Sequence, residues 1–403
     1  MRPSVILLLA GTSAVLAQGP ADQDVLLLRG ATVHTISGPV IENGSILIRG
    51  GRIVGVGRNL TAPDHAKVID LEGQQVYPGM IDSASIANPA SEHSVAARAN
   101  GVTSAMLMRP DDLMGGPVSV THLNGAGADA TRVALALRFP AIVTKPVRPH
   151  ESVEDDEEPA TAAEEKRIPY SAAKKDYEAK MRALNQFFEA ARRYRTSKLA
   201  RRPGFAPDSR YEPMIPVLEG AEPLLVTAVR EREIREAIAF AERQKIRIIL
   251  ADPYEAYKVL PLIKARDIPV VLGPTYTLPP DQDDDYDRSY TTPAQLYAAG
   301  IRFCIATFSS LSSRNLPYQA AAAVPFGLPH DQAYRAVSLN AAEIFGLGKR
   351  MGSIDEGKIA DLIVTDGDPL ETTTHINQVF IEGKAASLET RQRQLYEKYL
   401  ARP

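Results

Sequence analysis

Alternating strand-like and helix-like segments in the middle of the chain most constrain its fold. Apolar runs typical of buried strands occupy residues 224–227, 247–250, 268–272 and 301–306, and helix-period patterns such as that of residues 231–244 lie between them. Strands that alternate with helices of this length indicate parallel βα units. Several such units over about 270 residues favour an α/β fold with a (β/α)8 TIM-like barrel over a doubly wound sheet.

Both ends of the chain carry a different pattern. Residues 25–77 contain short apolar runs separated by glycine turns, and residues 350–384 return to the same pattern. Short β-rich runs with tight turns predict a small sandwich or meander. The chain is therefore organised as β-rich ends around an α/β middle, and its 403 residues suit one barrel with a small appendage.

The first residues have the composition of an export signal rather than of a folded element. A short positive start precedes an apolar stretch, Val5 to Leu16, that is too short to span a bilayer. Cleavage after Ala17 would remove residues 1–17 and leave a periplasmic or secreted chain; a single N-terminal anchor is the alternative. No later segment has the length of a membrane span, so we expect no span after signal removal.

The charge distribution excludes one class of partner and marks one unusual insert, near residues 146–215. The formal net charge of −3 gives no electrostatic reason to expect nucleic-acid binding. Residues 150–165 carry eight acids and are predicted to form a solvated loop, whereas residues 171–198 form a basic helical pattern with one apolar stripe. We expect the stripe to pack on the barrel; a partner helix or a lid over the barrel mouth is the alternative.

Three motifs in order along the chain carry a family resemblance. The first is GRIVGVG at residues 51–57, and the second is YPGMID at residues 77–82. The third is GSIDEGKIADLIV at residues 352–364, followed by VFIEGK at residues 379–384. Their order and spacing resemble the amidohydrolase superfamily, particularly its imidazolonepropionase-like and dihydroorotase-like branches, over nearly the whole mature chain.

The resemblance implies an architecture and a chemistry. Residues 25–77 and 350–384 would form one composite β-sandwich domain, and residues 78–349 would form the barrel. Members of this family hydrolyse non-peptide, often cyclic, C–N bonds. A divalent metal such as zinc lowers the pKa of a bound water, and a carboxylate moves the proton.

The resemblance also implies metal ligands, and other residues stand at their positions. The opening H-x-H pair of the family follows the second motif, where its two positions match Ala84 and Ile86. The fifth-strand histidine falls near Val229, and the late catalytic aspartate matches Phe308. None of these side chains binds a metal, so the sequence predicts a replaced metal site.

Four other polar residues are weak candidates for a remaining site. Asp82 ends the second motif, and Asp252 lies where the sixth-strand histidine would fall. Lys145 is a lysine that we place near the end of a barrel strand, where a residue of the site could lie. His122 is a candidate because its loop is expected to approach the barrel mouth, where this fold carries its chemistry.

Two functions follow from these residues. In the first, the chain is a pseudoenzyme, a catalytically degenerate homologue that binds a small-molecule ligand or assembles with itself or with an active amidohydrolase. In the second, it is a hydrolase with an atypical site at the barrel mouth. The first is favoured, because losing the metal ligands removes the activated water that supplies the rate.

Overall fold

The computed structural model describes residues 25–85, 91–108, 113–124, 130–144, 167–200, 204–281 and 283–401. The expected signal segment 1–17, the acidic segment 150–165, Ile86 and Lys145 lie outside these residues. None of the described helices has the length and apolar character that crossing a membrane requires.

The described residues form sixteen strands and ten α-helices. The strands are β1 (Val25–Val33), β2 (Ile41–Arg49), β3 (Arg52–Arg58), β4 (Lys67–Asp70), β5 (Gln75–Pro78), β6 (Met80–Ser85), β7 (Val102–Leu107), β8 (Met114–His122), β9 (Thr131–Arg138), β10 (Leu224–Thr227), β11 (Ile248–Ala251), β12 (Val270–Leu272), β13 (Phe303–Ile305), β14 (Leu362–Thr365), β15 (Ile376–Ile381) and β16 (Lys384–Ala386). The helices are α1 (Glu92–Ala99), α2 (Tyr170–Leu199), α3 (Ile215–Leu218), α4 (Glu231–Gln244), α5 (Leu260–Ala265), α6 (Arg288–Ala298), α7 (Leu316–Ala321), α8 (His330–Ala336), α9 (Leu339–Ile344) and α10 (Arg391–Leu400).

One sheet forms a nearly closed barrel with the strand order β13-β12-β11-β10-β9-β8-β7-β6. The strands from β9 to β13 pair in parallel, as do β6 and β7. Alternate residues of these strands, such as Leu225, Ile249 and Cys304, point inward and pack into one buried cluster. The opposite faces pack against the surrounding helices in a second cluster. The coarse prediction of an eight-stranded, TIM-like barrel is therefore confirmed.

The barrel differs from a regular (β/α)8 barrel at β8, which pairs antiparallel with both β7 and β9. The connections on either side are short: residues 108–113 join β7 to β8, and residues 123–130 join β8 to β9. A parallel pair needs a crossover of a dozen or more residues, so these lengths allow only hairpin-like returns. The expectation of eight parallel strands is wrong for this one strand.

The second sheet brings both ends of the chain together. Its order is β16-β15-β14-β5-β1-β2-β3, and β4 also pairs with β1. The contact between the two chain ends is the antiparallel pair of β5 with β14, in which Pro78 lies opposite Leu362. We call this sheet the outer sheet. The domain boundaries expected from the sequence stay a prediction.

The second and third motifs meet where the two sheets join. Gly79, between β5 and β6, donates its backbone N–H to the carbonyl of Asp361 at 2.8 Å. A Cβ at Gly79 would lie only 2.2 Å from the hydroxyl oxygen of Thr103, so no larger residue fits there without displacing β7. The glycine of the second motif is therefore required by its close approach to β7 of the barrel.

Helix α2 packs on the barrel, as its apolar stripe predicted. Leu184, Phe188 and Ala191 are fully buried in the cluster that joins barrel and helices. The ring of Phe188 meets Phe240 of α4 edge-on, with centroids 5.1 Å apart. Side chains buried in this way are not available to a partner helix or to a lid, so the alternatives for this stripe are excluded.

Candidate functional site at the barrel mouth

The carboxyl ends of the parallel strands form the barrel mouth, and Asp82 is a buried carboxyl that bonds to the residues there. The residue is fully buried on β6. Its carboxylate accepts hydrogen bonds from the backbone N–H of Thr307 at 3.0 Å, from the Thr307 hydroxyl at 2.5 Å and from the Ser313 hydroxyl at 2.8 Å. Burial raises the pKa of Asp82 to about 6 and outweighs these bonds, each of which lowers it.

The hydroxyl of Thr307 explains how this cluster accommodates a proton. Its oxygen lies 2.5 Å from Asp82 Oδ2 and 2.9 Å from the carbonyl oxygen of Ser309. A threonine hydroxyl has one proton, so it donates to one of these two acceptors at a time. When Asp82 is protonated it can donate to Thr307, while Thr307 donates to Ser309. Both protonation states of Asp82 are therefore hydrogen-bonded.

These contacts close the barrel between its two end strands. In addition to the bonds of Asp82, a backbone bond joins the two strands. Phe308, which follows β13, donates its N–H to the carbonyl of Ala84 on β6 at 2.9 Å. Phe308 makes this bond with a left-handed backbone, φ 52°. We call Asp82, Ala84, Thr307, Phe308 and Ser313 the mouth seam. The hydrogen bonds of the seam take the place of the backbone hydrogen bonds that would join β13 to β6 in a fully closed sheet.

Asp252 lies elsewhere on the mouth. It follows β11 with a left-handed φ of 51°, and its N–H donates to the carbonyl of Val271 at 2.9 Å. Its carboxylate lies against Gly273, where a Cβ would be 2.1 Å from Oδ1. In the sheet order β12 and β13 separate β11 from β6, the strand that carries Asp82, so the strand ends do not place Asp252 beside Asp82.

An ionic network joins the loops that follow three neighbouring strands. Arg230, after β10, lies 3.6 Å from Glu255 after β11. It also lies 2.7 Å from Asp281 and 3.8 Å from Asp284, both after β12. Because the three strands are adjacent, one guanidinium ties their loops together at the rim of the mouth.

His122 is not at the mouth, which corrects the expectation from the sequence. Because β8 is antiparallel, its last residue pairs with Ser104 near the start of β7, at the opposite end that we call the base. His122 Nδ1 lies 3.2 Å from Asp361 Oδ2 and 3.1 Å from Ser104 Oγ. Serine and aspartate approach the same ring nitrogen, whereas a Ser-His-Asp triad needs them on opposite nitrogens.

The charge around His122 favours its protonated form. Burial lowers the pKa of His122, but the contact with Asp361 and the charges of Asp361 and Glu382 outweigh it, and the pKa is raised. Asp361 is held in place by the backbone N–H of Glu382, which donates to Oδ1 at 2.9 Å. His122 therefore links the barrel to the outer sheet through a partly buried ion pair.

Comparisons with known proteins agree with this architecture. The family model described as "Amidohydrolase family" matches residues 283–386. The amidohydrolase tasK of Hapsidospora irregularis is 36% identical over 75 residues, which cover 19% of this chain and 8% of that protein. The imidazolonepropionase of Thermoplasma volcanium is 31% identical over 109 residues, 26% of this chain and 27% of that protein. The matched segments thus span about a quarter or less of these curated relatives.

A solved structure extends the likeness to the whole fold. The crystal structure of an amidohydrolase from Thermotoga maritima superposes with a TM-score of 0.72 at 23% identity. The alignment covers 89% of this chain and 99% of that chain. The family match, the short matches to imidazolonepropionases and the shared fold together support the amidohydrolase superfamily. The prediction from the three motifs is confirmed at that level.

The residues at the ligand positions that the family resemblance implies do not fit a metal. Ala84 is fully buried in the cluster inside the barrel, and Phe308 packs against the same cluster. Val229, two residues before α4, donates its N–H to Glu233 at 2.9 Å. Alanine, valine and phenylalanine offer no side-chain donor atom. Within the described ranges, no three histidine, cysteine or acidic side chains come together as a metal site would require.

Sequence reasoning missed the partners of Asp82. Thr307 and Ser313 were not candidates, since neither belongs to a recognised catalytic pattern. One signal was present, because Thr307 directly follows the strand run 301–306 and so had to reach the barrel mouth. Arg230 carried the same signal after residues 224–227. A polar residue just past a barrel strand is informative even where the family has another residue.

Proposed function

We propose that this chain is a catalytically degenerate member of the amidohydrolase superfamily, which keeps the barrel and does not hydrolyse C–N bonds. The observation that carries the proposal is the bond between Phe308 and Ala84, at 2.9 Å. These are the positions at which the family resemblance expects the late aspartate and the first histidine. Here they are joined to each other and pack together on the apolar interior.

The chemistry of the seam supports the same conclusion. Amide hydrolysis needs an activated water, which a metal or a positioned base must supply. Asp82 is fully buried, and its oxygens already accept bonds from Thr307 and Ser313. A carboxylate engaged in this way holds two strand ends together and presents no free oxygen to a substrate above the mouth.

The alternative is a hydrolase with an atypical site, and one observation favours it. The pKa of Asp82 is raised to about 6, which is closer to neutral than that of an ordinary carboxyl and suits a general acid or base. In such a hydrolase, Asp252 would be the second carboxyl at the mouth. The similarity to imidazolonepropionases indicates the substrate class, cyclic amides.

A metal analysis combined with an activity screen separates the two. The purified full chain would be assayed for zinc, manganese and iron, and then tested on cyclic amides, N-acyl amino acids and dipeptides. If the chain is catalytically degenerate, we expect well under one metal per chain and no turnover, with or without added zinc. Turnover that persists in a chelator and is lost in both Asp82→Asn and Asp252→Asn would establish the atypical hydrolase. One bound zinc per chain with turnover would overturn the proposal.

A degenerate chain can still act through a partner or a ligand. We propose assembly with itself or with an active amidohydrolase, and light scattering of the purified chain tests the first case. A mass of 43.7 kDa, which is that of the full chain, would exclude self-assembly under those conditions. A mixture with an active relative that gains or loses turnover would support the second.

A further inference from the structure

A cavity of about 570 Å³ opens at the base of the barrel, on the side away from His122. It lies under the amino-terminal ends of β9 to β13 and beside the last turns of α4 and α5. Its floor is apolar and includes Val133, Ile249, Ile344 and Phe345, all of which belong to the cluster inside the barrel. We call this space the base cavity.

The rim of the base cavity is rich in cations. Lys245, Arg247, Arg266 and Arg302 line it. Lys245 ends α4 in a left-handed conformation, φ 53°, which turns the chain so that Arg247 stands just before β11. All four residues are exposed, so their charged groups reach the opening of the base cavity.

The acids on the same rim are already paired with arginines. Glu242 contacts Arg266, and Asp267 lies 3.1 Å from Arg302. The third acid, Glu343, pairs with an arginine outside the rim, Arg335, at 3.3 Å.

The remaining cations make different contacts. Arg247 donates to a neutral group, the carbonyl of Ala221, at 2.9 Å. Lys245 stands two residues before it on the same turn. The rim carries four cations and three acids, so it keeps an excess of positive charge around Lys245 and Arg247.

We propose that the base cavity binds a small amphipathic anion, with a carboxylate or phosphate group at Lys245 and Arg247 and an apolar body on the floor. The volume lies within the range of about 300 to 1,000 Å³ that small-molecule sites occupy. Guanidinium and ammonium groups bind both kinds of oxyanion through charge-assisted hydrogen bonds. This site is separate from the mouth seam, and it does not depend on whether the mouth hydrolyses anything.

The test uses fluorescent probes that differ in charge. Anilinonaphthalene sulfonate is an amphipathic anion, and N-phenylnaphthylamine is a neutral relative of similar shape. The chain has no tryptophan, so the probe signal is not mixed with indole emission. We expect the anion to bind the folded full chain at one site, and the neutral probe to bind at least about tenfold more weakly, a difference of about 1.4 kcal/mol.

Two double variants with the same change in net charge decide the location. Lys245→Gln with Arg247→Gln removes the two rim cations that form no ion pair with an acid in the part of the chain that the structure describes, and we expect about tenfold weaker binding of the anion. Lys67→Gln with Arg49→Gln removes two exposed cations of the outer sheet, and we expect no change. Urea unfolding of both variants checks that they remain folded.

Competition then distinguishes the two anion classes. Phenylbutyrate displacing the probe indicates a carboxylate site, and phenyl phosphate displacing it more strongly indicates a phosphate site; either result supports the proposal. Equal loss of binding in the two double variants, equal binding of the neutral probe, or no binding of the anion would overturn it. In those cases the basic rim serves only the ion pairs between neighbouring helices and strands.

Discussion

Two buried aspartates, one in the mouth seam and one where the barrel meets the outer sheet, are stabilised in different ways. Asp82 at the mouth is surrounded by neutral donors, from Thr307 and Ser313, and burial raises its pKa to about 6. Asp361 at the base lies beside His122, whose pKa is raised by that carboxylate. At the mouth a proton removes the cost of burying a charge, whereas at the base a proton creates an ion pair.

The largest expected effect comes from removing the carboxyl of the seam. Asp82→Ala leaves the N–H of Thr307 and the hydroxyl of Ser313 without their acceptor in a buried site, while the Thr307 hydroxyl keeps the carbonyl of Ser309. At about pH 5 we expect a loss of about 3 to 4 kcal/mol in the free energy of unfolding, measured with urea. Ser313→Ala removes one donor and keeps the carboxyl, so it should cost about 1 kcal/mol.

A loss of less than 1 kcal/mol in Asp82→Ala would contradict the seam as the closure of the barrel. The comparison with Ser313→Ala matters, because a general loosening of the mouth would make the two variants alike. Equal effects would show that the whole loop after β13, rather than the carboxylate, holds the strands.

The second effect is the pH dependence of the seam. The ordinary pKa of an aspartate is 3.8, and that of Asp82 in the folded chain is about 6. The folded state therefore holds the proton more tightly, so this stabilisation is complete below about pH 3.8 and is lost as the pH rises through about 6. The shift corresponds to roughly 3 kcal/mol in the free energy of unfolding.

The matched variant for this measurement is Asp82→Asn, whose amide does not titrate. The difference in stability between the two chains, measured by urea unfolding from about pH 4 to pH 7, isolates Asp82 from the other carboxyls. We expect the parent chain to lose stability relative to the variant as the pH rises. A constant difference across this range would mean that Asp82 titrates normally.

The sequence predicted the barrel and the β-rich ends because both depend on local patterns. Period-two and helical runs, and the glycines that separate them, lie within a few residues of one another. The direction of β8 could not be predicted in the same way, since an alternating strand reads alike whether it pairs in parallel or antiparallel. That single reversal moved His122 from the mouth to the base.

The contacts of the mouth seam could not be predicted from the sequence for a different reason. The hydroxyls that bind Asp82 lie 225 and 231 residues away, on Thr307 and Ser313. No local pattern connects residues at such separations; only closure of the barrel does. The sequence named Asp82, Ala84 and Phe308 as candidate positions, and the structure was needed to show that Phe308 bonds to Ala84 and that Asp82 bonds to the neighbouring Thr307.

A third prediction asks whether the mouth also depends on steric fit. Gly273→Ala adds a Cβ that would lie 2.1 Å from Asp252 Oδ1, so the carboxylate must rotate away. We expect a loss of about 1 to 2 kcal/mol in thermal or urea unfolding. Gly273→Ala together with Asp252→Ala should cost less than the sum of the single changes, because the clash is gone. Additive effects would show that Asp252 already has room to move.

The smallest effect on stability is expected at His122 at the base, where protonation forms an ion pair instead of neutralising a buried carboxylate. The pKa of His122 is raised above 6.5, so the stabilisation from its ion pair is complete below about that pH and is lost as the pH rises through the folded value. The charged groups that act on the ring are Asp361, Glu382 and Arg350. His122→Gln should therefore cost about 1 kcal/mol at about pH 6 and less at about pH 9.

The control at the base is Asp361→Asn, which keeps the shape and removes the negative charge. It should lower the pKa of His122 in a titration followed by NMR, whereas Asp82→Asn should leave that pKa unchanged, because Asp82 is not among the charged groups that act on the ring. If Asp82→Asn shifted the titration of His122 as much as Asp361→Asn did, the mouth and the base would be electrostatically coupled. The contrast between a neutral seam and an ionic base would then have to be given up.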